Sequence, residues 1–360
     1  MPKLLEYLAF VGTYTDQRSK GIYAFSFNPG SGGFRSLGLQ AEVENPSFLA
    51  TDPRRELLYA VSEVADYEGE KTGGVLAFAF DQTGKLNLLN KTPSHGAGPC
   101  YVSLDCTSGY ALVSNFWSGS IAVFPILEDG QLAEPSALIR HQGSSVHPVR
   151  QNGPRAHSIQ TSPNNRFILV ADLGLDQILV YRFDVTDGSL ILHKPGITRL
   201  HPGAGPRHFA FHPGGRFVYV LNELDSTVTL FSFDESTGTL QQLQEVATVP
   251  KDFSGASEAA ELCVDPAGRF LYASNRGHDS ISVFKIDSQK GTLAVVEQVP
   301  SGGKTPRHFT IDPTGSYLFA ANQDSDRIVI FRIHSRTGRL SATGEFLDVP
   351  TPVCVRFVQR

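Results

Sequence analysis

His157, Arg207, Glu223, Arg276 and Arg307 are the residues of this chain best suited to chemistry. An imidazole and a carboxylate can exchange a proton with a bound molecule. Guanidiniums attract an anion and steady negative charge that develops on it. The five lie far apart along the chain yet share two fixed slots. His157, Arg207 and Arg307 each stand six residues before a turn proline (Pro163, Pro213, Pro313), while Glu223 and Arg276 each stand ten after one (Pro213, Pro266). Elsewhere the first slot holds Ser47, Cys100 and Ala260 and the second Glu63, Phe116, Leu173 and Gln323, with Val353 and Thr13 as analogues near the chain ends. A scaffold repeat needs only residues that fit. Charge gathered in copies three to six therefore points to a small anionic substrate, with His157, Glu223, Arg207 and Arg276 as catalytic residues and Arg307 binding substrate. An ion-pair network that fills a polar channel is the competing reading.

One connection is longer than its counterparts: QLAEPSALIRHQGSSVHPVRQNGPRAHS, between Gly130 and the third copy. It carries His147, Arg150 and Gln151 and is placed to cover the same opening, so His147 and Arg150 join the expected substrate contacts. His208 and His308, one position beyond the first slot, are expected to pack within the sheets. There is no GxGxxG ahead of a helix, no GxxxxGK[ST], no HExxH and no GxSxG. The 11 histidines show no metal-ligand spacing, and no metal or cofactor is expected.

The elements that must hold these side chains follow from the repeat. An apolar–Asp–x–x–x–Gly–x–Leu phrase recurs with glycines at 33, 84, 130, 188, 238, 291 and 338, about 51 residues apart on average. Each phrase reads as a hairpin turn. Ahead of it lies a second hairpin, as in FAFHPGGRFVYVLN, CVDPAGRFLYASN and FTIDPTGSYLFAAN. Its turn proline precedes Ser62, Asp172, Asn222, Asn275 or Asn322 by nine residues, and Cys106 takes the proline's place nine before Asn115. Two hairpins make four strands, A to D, with no helical pattern between copies. The fold is expected to be all-β, a seven-bladed β-propeller with four antiparallel strands per blade, occupying 1–360 as one domain. Residues 5–37 supply strands B to D and Val353–Val358 a lone strand A, so the two ends should complete the seventh blade and close the ring.

Composition narrows the function further. Lys plus Arg number 31 against 36 Asp plus Glu, a net charge of −5 that argues for neither a nucleic-acid nor a membrane surface. No run approaches membrane-spanning length, and MPKLLEYLAFVGTY lacks a leader's cleavage site. Cys100, Cys106, Cys263 and Cys354 show no CxxC spacing and read as buried, reduced thiols of a cytoplasmic protein.

The segments GPRHFAFHPGGRFVYVLNEL, TPRHFTIDPTGSYLFAANQ, GSSVHP…RQ…PRAHS and YASNRGHDSI together resemble the lactonase seven-bladed propeller family, over essentially the whole chain. That family includes 6-phosphogluconolactonases and the carboxy-cis,cis-muconate lactonizing enzyme. The resemblance implies an active cluster of a His, two Arg and a Glu, which fall on His157, Arg207, Arg276 and Glu223. Arg155 departs from it, standing where family members often have His. Hydrolysis of 6-phosphoglucono-δ-lactone to 6-phosphogluconate is the implied reaction, with Glu223 or His157 as base. Cycloisomerisation of a carboxylated muconate and a non-catalytic binding module are the alternatives. Replacing His157 or Glu223 is expected to cost turnover and leave stability nearly unchanged.

Overall fold

The computed structural model describes residues 6–358; the first five residues of the N-terminal apolar run, and with them the first residue of the 5–37 segment, lie outside it. Seven four-stranded antiparallel sheets follow one another around a ring. Blade four is typical, with strands A to D at Pro206–Phe211, Phe217–Asn222, Thr227–Asp234 and Thr239–Ala247. In five blades strand B is buried along its whole length, as in Leu57–Ser62, Phe217–Asn222 and Tyr317–Asn322, and in the other two only an end residue, Tyr7 or Arg276, is partly exposed. Strands D, such as Thr239–Ala247, are largely exposed. The near-continuous apolar runs LLYAVS, FVYVLN and YLFAAN suit a strand covered on both faces by neighbouring blades.

The repeat glycines have a specific task. Gly238, Gly291 and Gly338 sit at φ of 69°, 70° and 71°. A Cβ there would lie 2.5, 2.7 and 2.4 Å from Phe167, Phe217 and Phe270, the residues that open strand B of the preceding blade. Only glycine accepts both the left-handed backbone and that approach. Where strand B carries a tyrosine the contact becomes a hydrogen bond: Tyr59, Tyr219 and Tyr272 donate to the carbonyls of Gly130, Gly291 and Gly338 at 3.0, 2.9 and 2.8 Å. The asparagines nine residues past the turn hold the incoming chain. Asn115, Asn275 and Asn322 donate to the carbonyls of Ser94, Thr248 and Ser301 at 3.2, 3.2 and 3.1 Å. In blade three Asp172 does this as an acceptor, 2.6 Å from His141 Nδ1.

Ring closure joins the chain ends. Strand Pro352–Phe357 pairs antiparallel with Tyr7–Thr13, which continues into Gly21–Phe27 and Phe34–Glu42. Val355 is fully buried opposite Val11, among Phe25, Phe319 and Phe357. Val355→Asp is expected to lower the unfolding free energy by about 4 kcal/mol or more, since a carboxylate there has no partner. Equilibrium urea denaturation reads this directly, and an unchanged midpoint would mean the seam does not hold the ring.

The cysteines divide. All four are free, Cys100 and Cys354 are buried and Cys263 is half-buried, but Cys106 is exposed. That last departs from the expectation of buried thiols, because Cys106 occupies the turn position where other blades place proline.

Candidate functional site

A backbone irregularity aims the first-slot residues. In blades two, three, four, six and seven, one extra residue of strand A interrupts the pairing with strand B, and it is Cys100, His157, Arg207, Arg307 or Val353. Blade five bulges over two residues, Ala260 and Glu261. A bulge turns its side chain out of the alternation of the sheet, and here it turns it toward the channel mouth. The second-slot residues leave strand B at the same rim, so residues dozens of positions apart converge.

Glu223 is the hub. Its buried carboxylate has Arg207 Nε and Arg276 Nη2 each 2.9 Å from Oε2. His157 Nε2 is 4.0 Å from the same oxygen, and Arg150 pairs with Oε1. Arg150 also pairs with Glu258, which lies 3.4 Å from Arg276. Burial alone would raise the Glu223 carboxyl, but the guanidiniums of Arg276 and Arg207, with Arg150 behind them, hold it far below the usual carboxylate range. Burial, then Arg207, holds the His157 imidazole well below its usual range, so the ring is neutral. Burial and the charges of Arg307 and Arg276 loosen Arg207's hold on its proton, to about 10.

The ion pairs leave donors unspent. Arg207 Nε and both Nε and Nη2 of Arg276 are buried with no aligned hydrogen-bond acceptor. Arg207 Nε and Arg276 Nη2 lie close to Glu223 in distance while their N–H bonds point past it. A buried donor left unmade costs about 1–3 kcal/mol, more when charged. An arrangement that tolerates several such donors is primed for an acceptor from outside. Four guanidiniums (Arg150, Arg207, Arg276, Arg307) face three carboxylates (Glu63, Glu223, Glu258), and the excess of positive charge favours an anion.

His157 is held edge-on between Phe116 and His208, ring centroids 5.2 and 5.1 Å away. The Cys100 thiol is directed at the His157 carbonyl oxygen, 3.3 Å from Sγ, and its sulfur lies 3.7 Å from Nδ1. The tautomer that carries its hydrogen on Nδ1, toward this sulfur, is the one that leaves the Nε2 lone pair free to take a proton.

The remaining expected contacts separate. Arg150 reaches the hub, so the long connection does cross the mouth. It is secured by buried Gln151, which donates to Leu173 O and Asp176 Oδ1 at 2.9 and 2.7 Å. His147 turns Nδ1 inward to accept backbone N–H groups from Val149 and Arg150 at 3.3 and 3.1 Å, and its ring makes no hydrogen bond or ion pair with Glu223, Arg207, Arg276 or His157. It does border a cavity of about 660 Å³ together with Arg150, Phe253, Glu258, Arg276 and Thr305. Arg307 stands apart from Glu223: its Nη2 donates to Tyr14 Oη at 2.7 Å, and Tyr14 donates to Glu63 at 2.9 Å. Arg155 points outward, to the Trp117 carbonyl and Asn152. Tyr14, Glu63 and Glu258 belong to the mouth although the residue types did not single them out; Glu63 shares the slot of Glu223, which was the available signal. His208 and His308 do not pack inside the sheets as expected. They face the axis, where Phe48 of blade one meets both rings at 5.6 and 5.9 Å. The residue after a bulge stays turned inward, which simple alternation does not anticipate. Among the described residues no three His, Cys, Asp or Glu side chains are grouped to hold a metal ion, and no helix is long and apolar enough to cross a membrane.

Comparison with known proteins agrees with this architecture. Residues 8–357 match the family model described as "Lactonase, 7-bladed beta-propeller". The chain is 37% identical to the 6-phosphogluconolactonase of Bacillus subtilis over 99% of this chain and 100% of that one. The periplasmic gluconolactonase of Pseudomonas aeruginosa superposes with a TM-score of 0.93 at 33% identity, covering 99% of both chains. A Lactobacillus plantarum protein superposes with a TM-score of 0.91 at 31% identity, over 99% of this chain and 100% of that one. A ring of seven bladed sheets with this sequence likeness along nearly its full length belongs to the lactonase seven-bladed β-propeller family.

Proposed function

We propose that this protein hydrolyses a sugar lactone at the arginine-lined mouth, with 6-phosphoglucono-δ-lactone as substrate and 6-phosphogluconate as product. The observation that carries the reading is the set of buried, unaligned guanidinium donors on Arg207 and Arg276 beside a neutral imidazole. The names of the Bacillus and Pseudomonas relatives support the reaction class.

Water attacks the lactone carbonyl while His157 Nε2 takes its proton. The negative charge that gathers on the carbonyl oxygen meets Arg207 and Arg276 N–H groups already in place. Collapse of the tetrahedral intermediate breaks the bond to the ring oxygen, and the imidazolium returns the proton to that oxygen. Glu223 is held too acidic to serve as the base. It keeps the arginines together and, 4.0 Å from Nε2, stabilises the imidazolium that forms. Arg150 and the cavity beside it receive the substrate's phosphate. Muconate cycloisomerisation would use the same cationic arc, and a binding module would need no base; relatives named as lactone hydrolases favour hydrolysis over both.

The test compares turnover of 6-phosphoglucono-δ-lactone by wild type and His157→Ala, with an expected loss of about 10²-fold or more in kcat. Normal turnover in the variant would remove the assignment. The pH profile adds a second check. A base whose pKa is depressed stays active as pH falls through 6.5 and loses activity only below the ordinary histidine range. An inflection near 6.5 in kcat/KM would contradict a buried, neutral His157.

A further inference from the structure

Beneath the mouth, the residue following the bulge slot in each blade forms a second layer: Phe48, Tyr101, Ser158, His208, Glu261, His308 and Cys354. Glu261 is its one carboxylate, buried near the channel axis. Two groups donate to it and a third lies close by. Oε1 accepts from Leu262 N–H at 2.9 Å and from His208 Nδ1 at 3.1 Å, and His308 Nε2 lies 3.2 Å from Oε2 as a close contact rather than an aligned hydrogen bond. The tautomers are fixed by what each second nitrogen meets. Val355 N–H donates to His308 Nδ1 at 3.3 Å, so the hydrogen of that ring sits on Nε2. For His208, the carboxylate requires the hydrogen on Nδ1.

Arg207 rests on this assembly. Its Nη1 lies 3.1 Å from His208 Nε2 and 3.3 Å from Nδ1. Near-equal distances place Nη1 over the ring, in line with neither nitrogen's lone pair. The same Nη1 donates to the Ala260 carbonyl, within the bulge that also carries Glu261. Above, Nε meets Glu223 at 2.9 Å. The guanidinium is thus seated between Glu223 and a neutral imidazole whose orientation Glu261 sets. A metal ion in the His–Glu–His site would confront the charges of Arg207 and Arg356, both of which act on His208.

We infer that Glu261 is a positioning residue for Arg207: through His208, with His308 as the opposing brace, it holds the guanidinium at the angle that meets the reacting carbonyl oxygen. The inference rests on the lactonase reading of the mouth. Glutamine at 261 cannot present an oxygen to both imidazole N–H groups, because its amide nitrogen would face either the His208 bond or the His308 contact.

The experiment is a double-mutant cycle on the full chain, measuring kcat and KM for 6-phosphoglucono-δ-lactone in Glu261→Gln, Arg207→Ala and the double variant. Glu261→Gln is expected to lower kcat at least about 10-fold with KM within about twofold, and its effect should shrink below about twofold when Arg207 is already alanine. A purely structural role would give the same loss in both backgrounds and overturns the inference, as does normal kcat in Glu261→Gln. Nitrogen-15 NMR of histidine-labelled wild type at pH 7 needs no variant to fold and no turnover. It should find His208 as the Nδ1–H tautomer and His308 as the Nε2–H tautomer, and the reverse for either ring overturns the inference. Full activity in Arg207→Ala would instead sink the role given to Arg207 in hydrolysis, leaving the NMR result to decide the hydrogen-bonded chain.

Discussion

Glu223→Gln is expected to reduce lactone turnover by about 10²-fold or more and to destabilise the fold at the same time. The side chain is 2% exposed and faces Arg207, Arg276 and Arg150. Glutamine keeps the shape and removes the charge, leaving three guanidiniums gathered with Glu258 as their remaining near anion. Breaking a buried pair by removing one partner costs about 3–5 kcal/mol, because the other charge stays behind uncompensated. The expectation from sequence that such a change leaves stability nearly unchanged therefore gives way to the geometry. The loss of turnover has two sources: the imidazolium loses its stabilising anion, and the arginines spread apart. Added inorganic phosphate should raise the melting temperature of the variant more than that of wild type, by occupying the vacated centre of positive charge. A variant that melts like wild type and turns over normally would show that Glu223 is neither anchor nor catalytic partner.

Much of this was legible before any coordinates because the repeat is strict. A turn proline six residues after one slot and ten before another fixes which side chains leave the sheets at the same rim, and the blade-by-blade comparison found His157, Arg207, Glu223, Arg276 and Arg307 in that way. The ring closure was legible too, since a lone strand A at one end and strands B to D at the other can satisfy their edges only by meeting. What the sequence hid was direction. Strict alternation would send His208 and His308 into the sheets, yet the adjacent bulges turn them to the axis. Distance was hidden as well. Arg307 shares a slot with Arg207 but spends its charge on Tyr14 and Glu63, because the ring is wide enough to hold two separate polar groups. His147 looked like a ligand by type, and its turn claims its Nδ1 lone pair.

The separation of catalytic from supporting roles follows from the same electrostatics. A carboxylate beside three guanidiniums is an excellent anchor and a poor base, whereas a neutral imidazole beside that carboxylate can take a proton when the reaction supplies compensating negative charge. The cationic excess of the mouth then does double duty, drawing in an anionic substrate and steadying the oxyanion.

That concentration of buried titratable groups predicts a steep acid sensitivity. His157, His208 and His308 are buried, and burial is the first cause that lowers each ring's affinity for a proton; His308 is taken down to about 3 and the other two well below the usual value. In the unfolded chain each would titrate near 6.5. Below that pH the unfolded state binds protons that the folded state refuses, so stability falls as pH falls. Each unmatched proton costs about 1.4 kcal/mol per pH unit. Three together approach about 4 kcal/mol per unit where all three are unmatched, a large part of the stability of many domains, while the carboxyls of Glu63 and Asp225, raised by burial, take up protons in the fold and soften the decline toward pH 5. Glu223 has the depressed-carboxylate sign: its contribution is intact above its unfolded value near 4.3 and is lost only at lower pH, so it does not offset the histidines between 6.5 and 5. Urea denaturation at pH 7.5, 6 and 5 should show this decline, and His308→Gln, which removes one of the three groups, should flatten it by about a third. An unfolding free energy that stays level from pH 7.5 to 5 would mean that the rings are accessible to protons in the fold, and the neutral imidazole beside Glu223 would have to be abandoned with them.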